Sequence, residues 1–223
     1  MPRWVLALLA MSLATQIGWQ AARSSASTNH AALPPAPGAP ALRLASFGEP
    51  EAAARLTMIF VQTRESVDYP RLFAWLESIL ALDPRTQYPL FAAARVYAET
   101  ADTQRSRAAL DFVYRQFLRD PARRWPWLAH AALIAKHRLK DLPLARMYAR
   151  ALEQHTARVP LPLWARQMEI FILEDMNELE AARIMIASWL QSGQLDDPAE
   201  LRFLKQRLEE LEARIGAEIR NVE

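Results

Sequence analysis

The side chains best able to bind a metal ion lie on the segment 123–141, RRWPWLAHAALIAKHRLKD. His130 and His137 are seven residues apart, and Asp141 follows four residues after His137. Seven helical residues separate the two imidazoles by about 10.5 Å, which is too far for both to bind one metal ion. Asp141 precedes a Leu-Pro pair and is predicted to be the N-cap of the next helix. The sequence therefore predicts no metal site.

Two neighbouring carboxylates, Glu174 and Asp175, resemble the acid and base pair of a glycan-cleaving enzyme. Adjacent residues on a helix point about 100° apart, so this pair does not converge on one bond. A solvated helix end explains the two acids better, and we predict that the chain is not an enzyme. The alternative is an envelope glycan-processing enzyme whose helical scaffold conceals one acid, Glu169 or Glu174.

The composition excludes several other kinds of chemistry. The chain has no cysteine, which excludes disulfides, thiolate zinc sites and cysteine nucleophiles. Neither GxxxxGK[ST] nor GxGxxG occurs, and GxSxG is also absent. With only 5 glycines in 223 residues, a phosphate-binding loop is not expected. We predict no cofactor.

The elements that must position these side chains are predicted to be helices. Hydrophobic residues make up 52% of the chain, and glycine, which destabilises helix interiors by roughly 1 kcal/mol relative to alanine, is rare. The 15 prolines are expected at helix boundaries, because an interior proline costs about 3 kcal/mol. The predicted fold class is all-α.

Several landmarks recur with one period along the chain. Prolines 84, 121, 160 and 198 are 37, 39 and 38 residues apart, and Trp127 and Trp164 are 37 apart. Ala109, Ala145 and Ala181 follow at intervals of 36. A period of this length indicates stacked supersecondary units, here two helices each. The predicted units are 50–84, 85–121, 122–160 and 161–198, followed by a helix at 199–220 within a domain 49–223.

These repeats resemble the tetratricopeptide-repeat-like superfamily over residues 50–198. The matching features are an aromatic residue early in the first helix (Trp127, Trp164), alanine early in the second (Ala145, and Ala181 or Ala182), and proline after the second, as in "LALDP" ending at Pro84. The resemblance implies a right-handed stack of about four antiparallel helix hairpins, an α-solenoid. It also implies an extended concave surface that binds protein and brings no enzymatic activity with it.

The last helix has two interpretations. Leu201, Leu204, Leu208, Leu211 and Ile215 recur at spacings of three and four. This pattern is typical of the capping helix that closes a solenoid. The alternative is a coiled-coil seam that gives a homo-oligomer through residues 199–222.

The N-terminus predicts a membrane address. Residues 4–22 contain no charge, stand between Arg3 and Arg23, and are long enough to cross the hydrocarbon core as one helix. We predict a signal anchor at 1–23 with the remaining chain outside the cytoplasm, then an Ala/Pro-rich linker at 24–48 that acts as a spacer. The expected location is the bacterial inner membrane, single-pass, with the domain in the periplasm. The alternative is cleavage near Ala26 and secretion to the periplasm.

Charge is distributed unevenly although the net value is only +2. Residues 101–150 carry eleven Lys/Arg and four Asp/Glu, whereas residues 165–223 carry seven and thirteen. A periplasmic domain has no nucleic acid to bind, so we expect a protein partner in the cell envelope and predict an adaptor or assembly factor. The candidate partner-binding residues are Arg95, Trp125, His130, Lys136, Arg166 and Glu169.

Overall fold

A computed structural model describes residues 11, 15, 33–64, 68–193, 195 and 197–222 of the chain. Over these ranges the protein is all-α, with eleven α-helices, two π-helical segments and no strand. Apart from Met11 and Thr15, the predicted anchor at 4–22 lies outside the described residues. Among the residues that are described, no helix is both long enough and apolar enough to cross a membrane. The chain divides into two compact units, Met1–Asp83 and Pro84–Glu223.

The first unit contains α1 (Ala39–Ala45), α2 (Pro50–Gln62) and α3 (Tyr69–Leu82). Asp68 caps α3 by accepting a hydrogen bond from the Arg71 N–H at 3.1 Å. The apolar face of α3 (Leu72, Leu76 and Ile79) is fully buried, and α2 contributes Ala54, Met58 and Val61 to the buried residues of this unit. The two helices pack against each other as a hairpin.

The predicted spacer at 24–48 is wrong for residues 33–45, which pack against α3. Leu33 is buried, and the carbonyl of Pro34 accepts a 2.8 Å hydrogen bond from the Trp75 indole N–H. The Pro37 carbonyl accepts a 3.0 Å hydrogen bond from the Ser78 hydroxyl. Residues 33–38 form no helix, and their prolines lack N–H groups, but the proline carbonyls remain free to accept. The prolines that made this segment resemble a spacer also supply the carbonyls that accept hydrogen bonds from α3.

The second unit contains eight helices connected by short turns. They are α4 (Tyr88–Phe91), α5 (Thr103–Arg119), α6 (Pro121–Leu133), α7 (Leu142–His155), α8 (Leu163–Arg166), α9 (Met168–Asp175), α10 (Leu179–Ser192) and α11 (Pro198–Val222). The helix α4 continues as a π-helical segment, Ala92–Tyr97, and α6 continues as Ile134–Arg138. Consecutive helices pack against one another, with α6 on α5 and α7, and α10 on α9 and α11.

Local signals set most of the helix ends in this unit. Asp141 is the N-cap of α7, as predicted, and accepts a hydrogen bond from the Leu144 N–H at 2.9 Å. Asp102 caps α5 in the same way. Gly193 ends α10 with a φ of 66°, the left-handed conformation that glycine adopts without strain. Asn177 also has a positive φ, of 59°, so it follows the end of α9, and Glu178 is the N-cap residue of α10.

Pro126 lies inside α6. It does not lie in the first turn, which is the position that proline favours. The helix begins earlier, because the Asp120 carboxylate accepts from the Arg123 N–H and Pro121 occupies the first turn. An interior proline removes one hydrogen bond of the helix. The carbonyl that loses its partner belongs to Ala122, which is exposed and open to water.

Hydrogen bonds between successive helix pairs of this unit follow the period seen in the sequence. Arg138 donates to the Thr100 carbonyl across 38 residues, and the Trp189 indole donates to Glu153 across 36. The Trp127 indole N–H donates to the Gln87 amide oxygen across 40 residues. Side chains at corresponding positions of neighbouring helix pairs therefore contact each other.

The leucines of α11 pack within the chain. Leu204 and Leu211 are buried in a cluster with Ile170, Leu173 and Ile186, and the other α11 leucines, Leu201 and Leu208, pack against it. This packing accounts for their three- and four-residue spacing, as expected for a capping helix.

Candidate functional site

An aromatic groove crosses the first helices of the second unit. It encloses about 410 Å³ and is lined by Phe91, Arg95, Pro126, Trp127, His130, Leu133 and Trp164. Three helices contribute to it, namely α4 with its π-helical continuation, α6 and α8. The lining is mainly aromatic and apolar, with one cation and one imidazole at the wall. This composition is typical of surfaces that bind protein side chains.

The rings of the groove hold one another in place. The Trp127 indole donates a 2.6 Å hydrogen bond to Gln87 and meets Phe91 edge to face at 5.9 Å between centroids. Trp125 lies 6.1 Å from Trp164, again between centroids. Trp127 is half-buried, whereas Phe91 is 38% exposed and Trp164 is 51% exposed. The groove thus combines a fixed base with accessible aromatic edges.

His130 is the titratable group in the wall of the groove. Its Nε2 atom is buried without a hydrogen-bond partner in the described part of the chain, and lies 3.8 Å from the Glu99 carboxylate. Burial lowers the pKa of His130, the Arg95 charge lowers it further, and Glu99 opposes both. The imidazole is therefore neutral at neutral pH, and the cation presented to the groove is Arg95, which lies 3.7 Å from Glu99.

A second cavity, the arginine cavity, encloses about 850 Å³ among α7, α8, α9 and α10. Arg146, Arg150 and Glu153 reach it from successive turns of one face of α7, because residues at i, i+4 and i+7 align on a helix. Arg166 comes from α8, Glu169 from α9 and Trp189 from α10. Three guanidinium groups and two carboxylates therefore surround one space.

Glu169 is the most deeply buried charged group of the arginine cavity, at 3% exposed. Its Oε1 atom lies 3.4 Å from Arg146 Nε, and its Oε2 atom has no hydrogen-bond partner among the described residues. Burial raises the pKa of Glu169, and the bond from Arg146 only partly offsets this effect. A carboxyl in this environment favours its protonated form more than an exposed glutamate does.

The structure divides the six predicted partner-binding residues among three places. Arg95 and His130 line the aromatic groove, and Trp125 contacts its rim through Trp164. Arg166 and Glu169 line the arginine cavity. Lys136 forms an ion pair with Asp175 and lines neither site.

Sequence reasoning missed the residues that complete both sites. Phe91 was not among the candidates, and Trp164 was named only as a feature of the repeat, although half of it is exposed. Arg146 and Arg150 lie on α7, the second helix of the predicted unit 122–160, and were not among the candidates. Their spacing of four on a helix that also carries Glu153 was the available signal.

Glu174, the other candidate acid, is engaged elsewhere. It is 6% exposed at the side chain and forms ion pairs with Arg207 and Arg214 of α11. Within the part of the chain that the structure describes, no group of three or more His, Asp or Glu side chains could hold a metal ion.

Comparison of the chain with family models, with curated proteins and with solved structures gave no match.

Proposed function

We propose that this chain is a membrane-tethered periplasmic adaptor that binds another envelope protein and performs no catalysis. The observation that carries the proposal is the aromatic groove, where Phe91, Trp127 and Trp164 from three consecutive first helices line one concave surface. Aromatic side chains and arginine contribute most to binding energy at protein interfaces. An assembly factor with one such groove can hold a single apolar segment of its partner.

We also propose that the second unit is a stack of hairpins similar to the tetratricopeptide-repeat-like superfamily. Support comes from the hydrogen bonds that join residues lying 36, 38 and 40 positions apart in the sequence, close to the sequence period. A second support is the packing of each helix on the next. In such an array the first helices line the concave face, which is where the aromatic groove lies.

The chemistry of the groove indicates the kind of segment it would bind. A volume of about 410 Å³ admits one or two large side chains, not a whole helix. The neutral His130 and the aromatic rings suit an apolar or aromatic side chain, and Arg95 suits a neighbouring carboxylate. The partner is therefore expected to present an apolar residue next to an acidic one.

Affinity purification of the tagged full-length chain from its own cells tests this function. We expect one or a few envelope proteins to copurify with the wild type, and Trp164→Ala to lose them. Met147→Ala is the matched control, because Met147 is 42% exposed on α7 and does not line the groove. Equal recovery by Trp164→Ala and Met147→Ala would exclude the groove as the binding surface.

The tether is a separate part of the proposal. It rests on the uncharged segment 4–22 between two arginines. A reporter active only in the periplasm, fused after residue 223, should be active, and the chain should remain with membranes after carbonate washing. Release into the soluble periplasmic fraction would favour a cleaved signal instead.

One observation favours a second candidate, an envelope glycan-processing enzyme. Glu169 is a buried carboxyl with a raised pKa in the arginine cavity, which is the environment of a general acid. Glu174 cannot serve as its partner there, because its ion pairs hold it against α11. Peptidoglycan turnover by the full chain, lost in Glu169→Gln and kept in Glu178→Gln, would favour this enzyme over the adaptor.

A further inference from the structure

We propose that the arginine cavity binds a small organic monoanion in which one carboxylate is attached to an apolar body. This site is distinct from the aromatic groove and does not depend on the adaptor function. Its volume of about 850 Å³ lies within the range of small-molecule sites in proteins. Unused hydrogen-bond donors, one unpaired buried oxygen and an apolar lining are the features of the described residues that support this ligand.

The guanidinium groups of the cavity have donors that the described chain does not use. Among the described residues, Arg150 has no hydrogen-bond partner and no ion-pair partner within 4 Å, although it lines the cavity. Arg166 reaches Glu200 only at 4.0 Å, and the contact of Arg146 with Glu169 is long at 3.4 Å. Each guanidinium has five N–H donors in a planar fork that matches a carboxylate. Three such groups around one cavity point to an oxyanion.

Glu169 supplies a complementary group at the buried side of the same cavity. Its Oε2 atom has no partner in the described structure, and its side chain is only 4% exposed. A buried carboxyl oxygen without a partner costs free energy that a ligand hydrogen bond would recover. When protonated, this carboxyl can donate a hydrogen bond to the carboxylate that the arginines hold.

The balance of charge selects a monoanion. Three guanidinium groups face two carboxyl groups of the lining, Glu153 and Glu169, and a third acid, Glu200, lies 4.0 Å from Arg166, so with Glu169 protonated the excess is one positive charge. Glu153 already accepts a 3.1 Å hydrogen bond from the Trp189 indole. A phosphate dianion would place two more negative charges beside these carboxylates, which is unfavourable at close range. One carboxylate on the ligand matches the excess.

The rest of the lining accounts for the apolar body. Leu161, Leu173 and Met185 line the cavity together with the ring of Trp189. These side chains offer contacts that an inorganic anion cannot use, and burying a CH₂ group contributes about 0.8 kcal/mol. A carboxylate with a hydrocarbon or aromatic body is therefore expected to bind more tightly than a short one.

Calorimetric titration of the full-length chain with decanoate tests the site, with a protein-free blank of the same buffer and carrier detergent. Acetate separates the carboxylate from the apolar body, decanol does the reverse, and inorganic phosphate is the dianion. We expect saturable one-to-one binding of decanoate and at least tenfold weaker binding of the other three. Equal binding of decanol, or tighter binding of phosphate, would overturn the proposal.

Variants assign the binding to the cavity. Arg150→Gln and Arg166→Gln should each weaken decanoate binding by about tenfold, the loss expected for one charge-assisted hydrogen bond. Arg115→Gln is the matched control, because Arg115 is exposed on α5 and does not line the cavity. If both cavity variants keep their helical circular dichroism and bind as the wild type does, the assignment is wrong.

Two further variants separate this site from the others. Glu169→Gln keeps a hydrogen-bond donor and removes a negative charge, so it should bind decanoate at least as tightly as the wild type, and loss of binding in the folded variant would contradict the site. Trp164→Ala should leave decanoate binding unchanged while it abolishes partner capture. A loss of decanoate binding in Trp164→Ala would place the ligand in the aromatic groove instead.

Discussion

Replacing Glu169 by glutamine should stabilise the fold at neutral pH, although it removes a charged group near Arg146. The carboxylate is 3% exposed, and one of its oxygens has no hydrogen-bond partner in the described structure. Among the described residues, the one cation within 4 Å of this carboxylate is Arg146, at 3.4 Å, near the limit of a useful hydrogen bond. The cost of desolvating the charge therefore exceeds what the contact returns, and glutamine avoids that cost.

The expected size follows from the desolvated charge, because glutamine leaves the same buried position without a partner but carries no charge. Desolvating a buried polar group costs about 1–3 kcal/mol and a charged group more, so the free energy of unfolding of Glu169→Gln should exceed that of the wild type by at least about 1 kcal/mol at pH 7. The charged groups that face Glu169 are Arg146, Arg150 and Glu153. The two arginines lower the pKa of Glu169 and Glu153 raises it, while burial has the largest effect and leaves the pKa raised.

The pH dependence has a definite sign. Because the folded-state pKa of Glu169 is raised above the unfolded value, the folded wild type binds more protons than the unfolded chain between these two pKa values. The stability of the wild type should therefore fall as the pH rises through this window, relative to the variant. The difference between the two proteins should be smallest below the ordinary glutamate pKa and largest above the raised one.

Urea denaturation of the full chain at several pH values, followed by hydrogen exchange in peptides of α9 and α10, measures the effect. Glu178→Gln is the control, because Glu178 is exposed, lies three residues after α9 and makes no side-chain capping hydrogen bond at the start of α10. It should change stability by less than about 0.5 kcal/mol. A Glu169→Gln variant that is less stable than the wild type at pH 7, by an amount independent of pH, would refute the reasoning and show that the Arg146 pair is stabilising.

Three other predictions concern the elements that position the two sites. Asp141→Ala should lower the stability of α7 by about 1–2 kcal/mol, because it removes the N-cap hydrogen bond from the Leu144 N–H. Asp141→Asn should lower the stability by less. Hydrogen exchange of α7 measures both variants. Because the Leu144 N–H and Arg107 lower the pKa of Asp141, its contribution should persist above the ordinary carboxyl pKa and disappear as the pH falls through the lowered one. Gly193→Ala should destabilise the fold by about 1–2 kcal/mol, because Gly193 has a φ of 66°. Gly216→Ala, inside α11, should stabilise the fold by about 0.5–1 kcal/mol. Thermal unfolding measures both variants, and a stability change of the same sign in the two would contradict these predictions. Leu204→Ala should cost about 2–5 kcal/mol because Leu204, on the inner face of α11, is fully buried, and Leu118→Ala, at 41% exposed, should cost much less in the same urea assay.

Features that depend on short-range signals could be predicted from the sequence. Asp141 precedes a Leu-Pro pair and caps α7, and Gly193 ends α10, because capping involves only a few consecutive residues. The helical class follows in the same way from the scarcity of glycine. The period of about 38 residues appears again in the hydrogen bond from Arg138 to Thr100.

Features that depend on which helix faces which could not be predicted. Trp127 and Trp164 occupy corresponding sequence positions, yet Trp127 is half-buried beside Phe91 and Trp164 is 51% exposed. As a charged residue, Glu169 is expected at the surface from the sequence. In the fold it is buried, because α7 packs against α9 and brings Arg146 next to it. Proline is favoured in the first turn of a helix, but Pro126 does not lie there, because Asp120 caps α6 and the helix begins about one turn earlier.

The packing of residues 33–45 was missed for a related reason. Proline-rich composition agrees with the lack of helix at residues 33–38, but it does not predict α1 (Ala39–Ala45) and does not reveal which surface the segment meets. The carbonyls of Pro34 and Pro37 find donors on α3 because Trp75 and Ser78 face the same side of that helix. That coincidence exists only in the folded chain.

The most direct test of the adaptor is photo-crosslinking in living cells from single positions of the full-length chain. A benzoylphenylalanine in place of Trp164 lies in the aromatic groove, and one in place of Met147 lies on the exposed part of α7 outside it. A discrete adduct with an envelope protein is predicted from position 164 and not from position 147, and Phe91→Ala should reduce it. Adducts of equal intensity from both positions, or none from position 164, would contradict the proposal that this groove binds a partner.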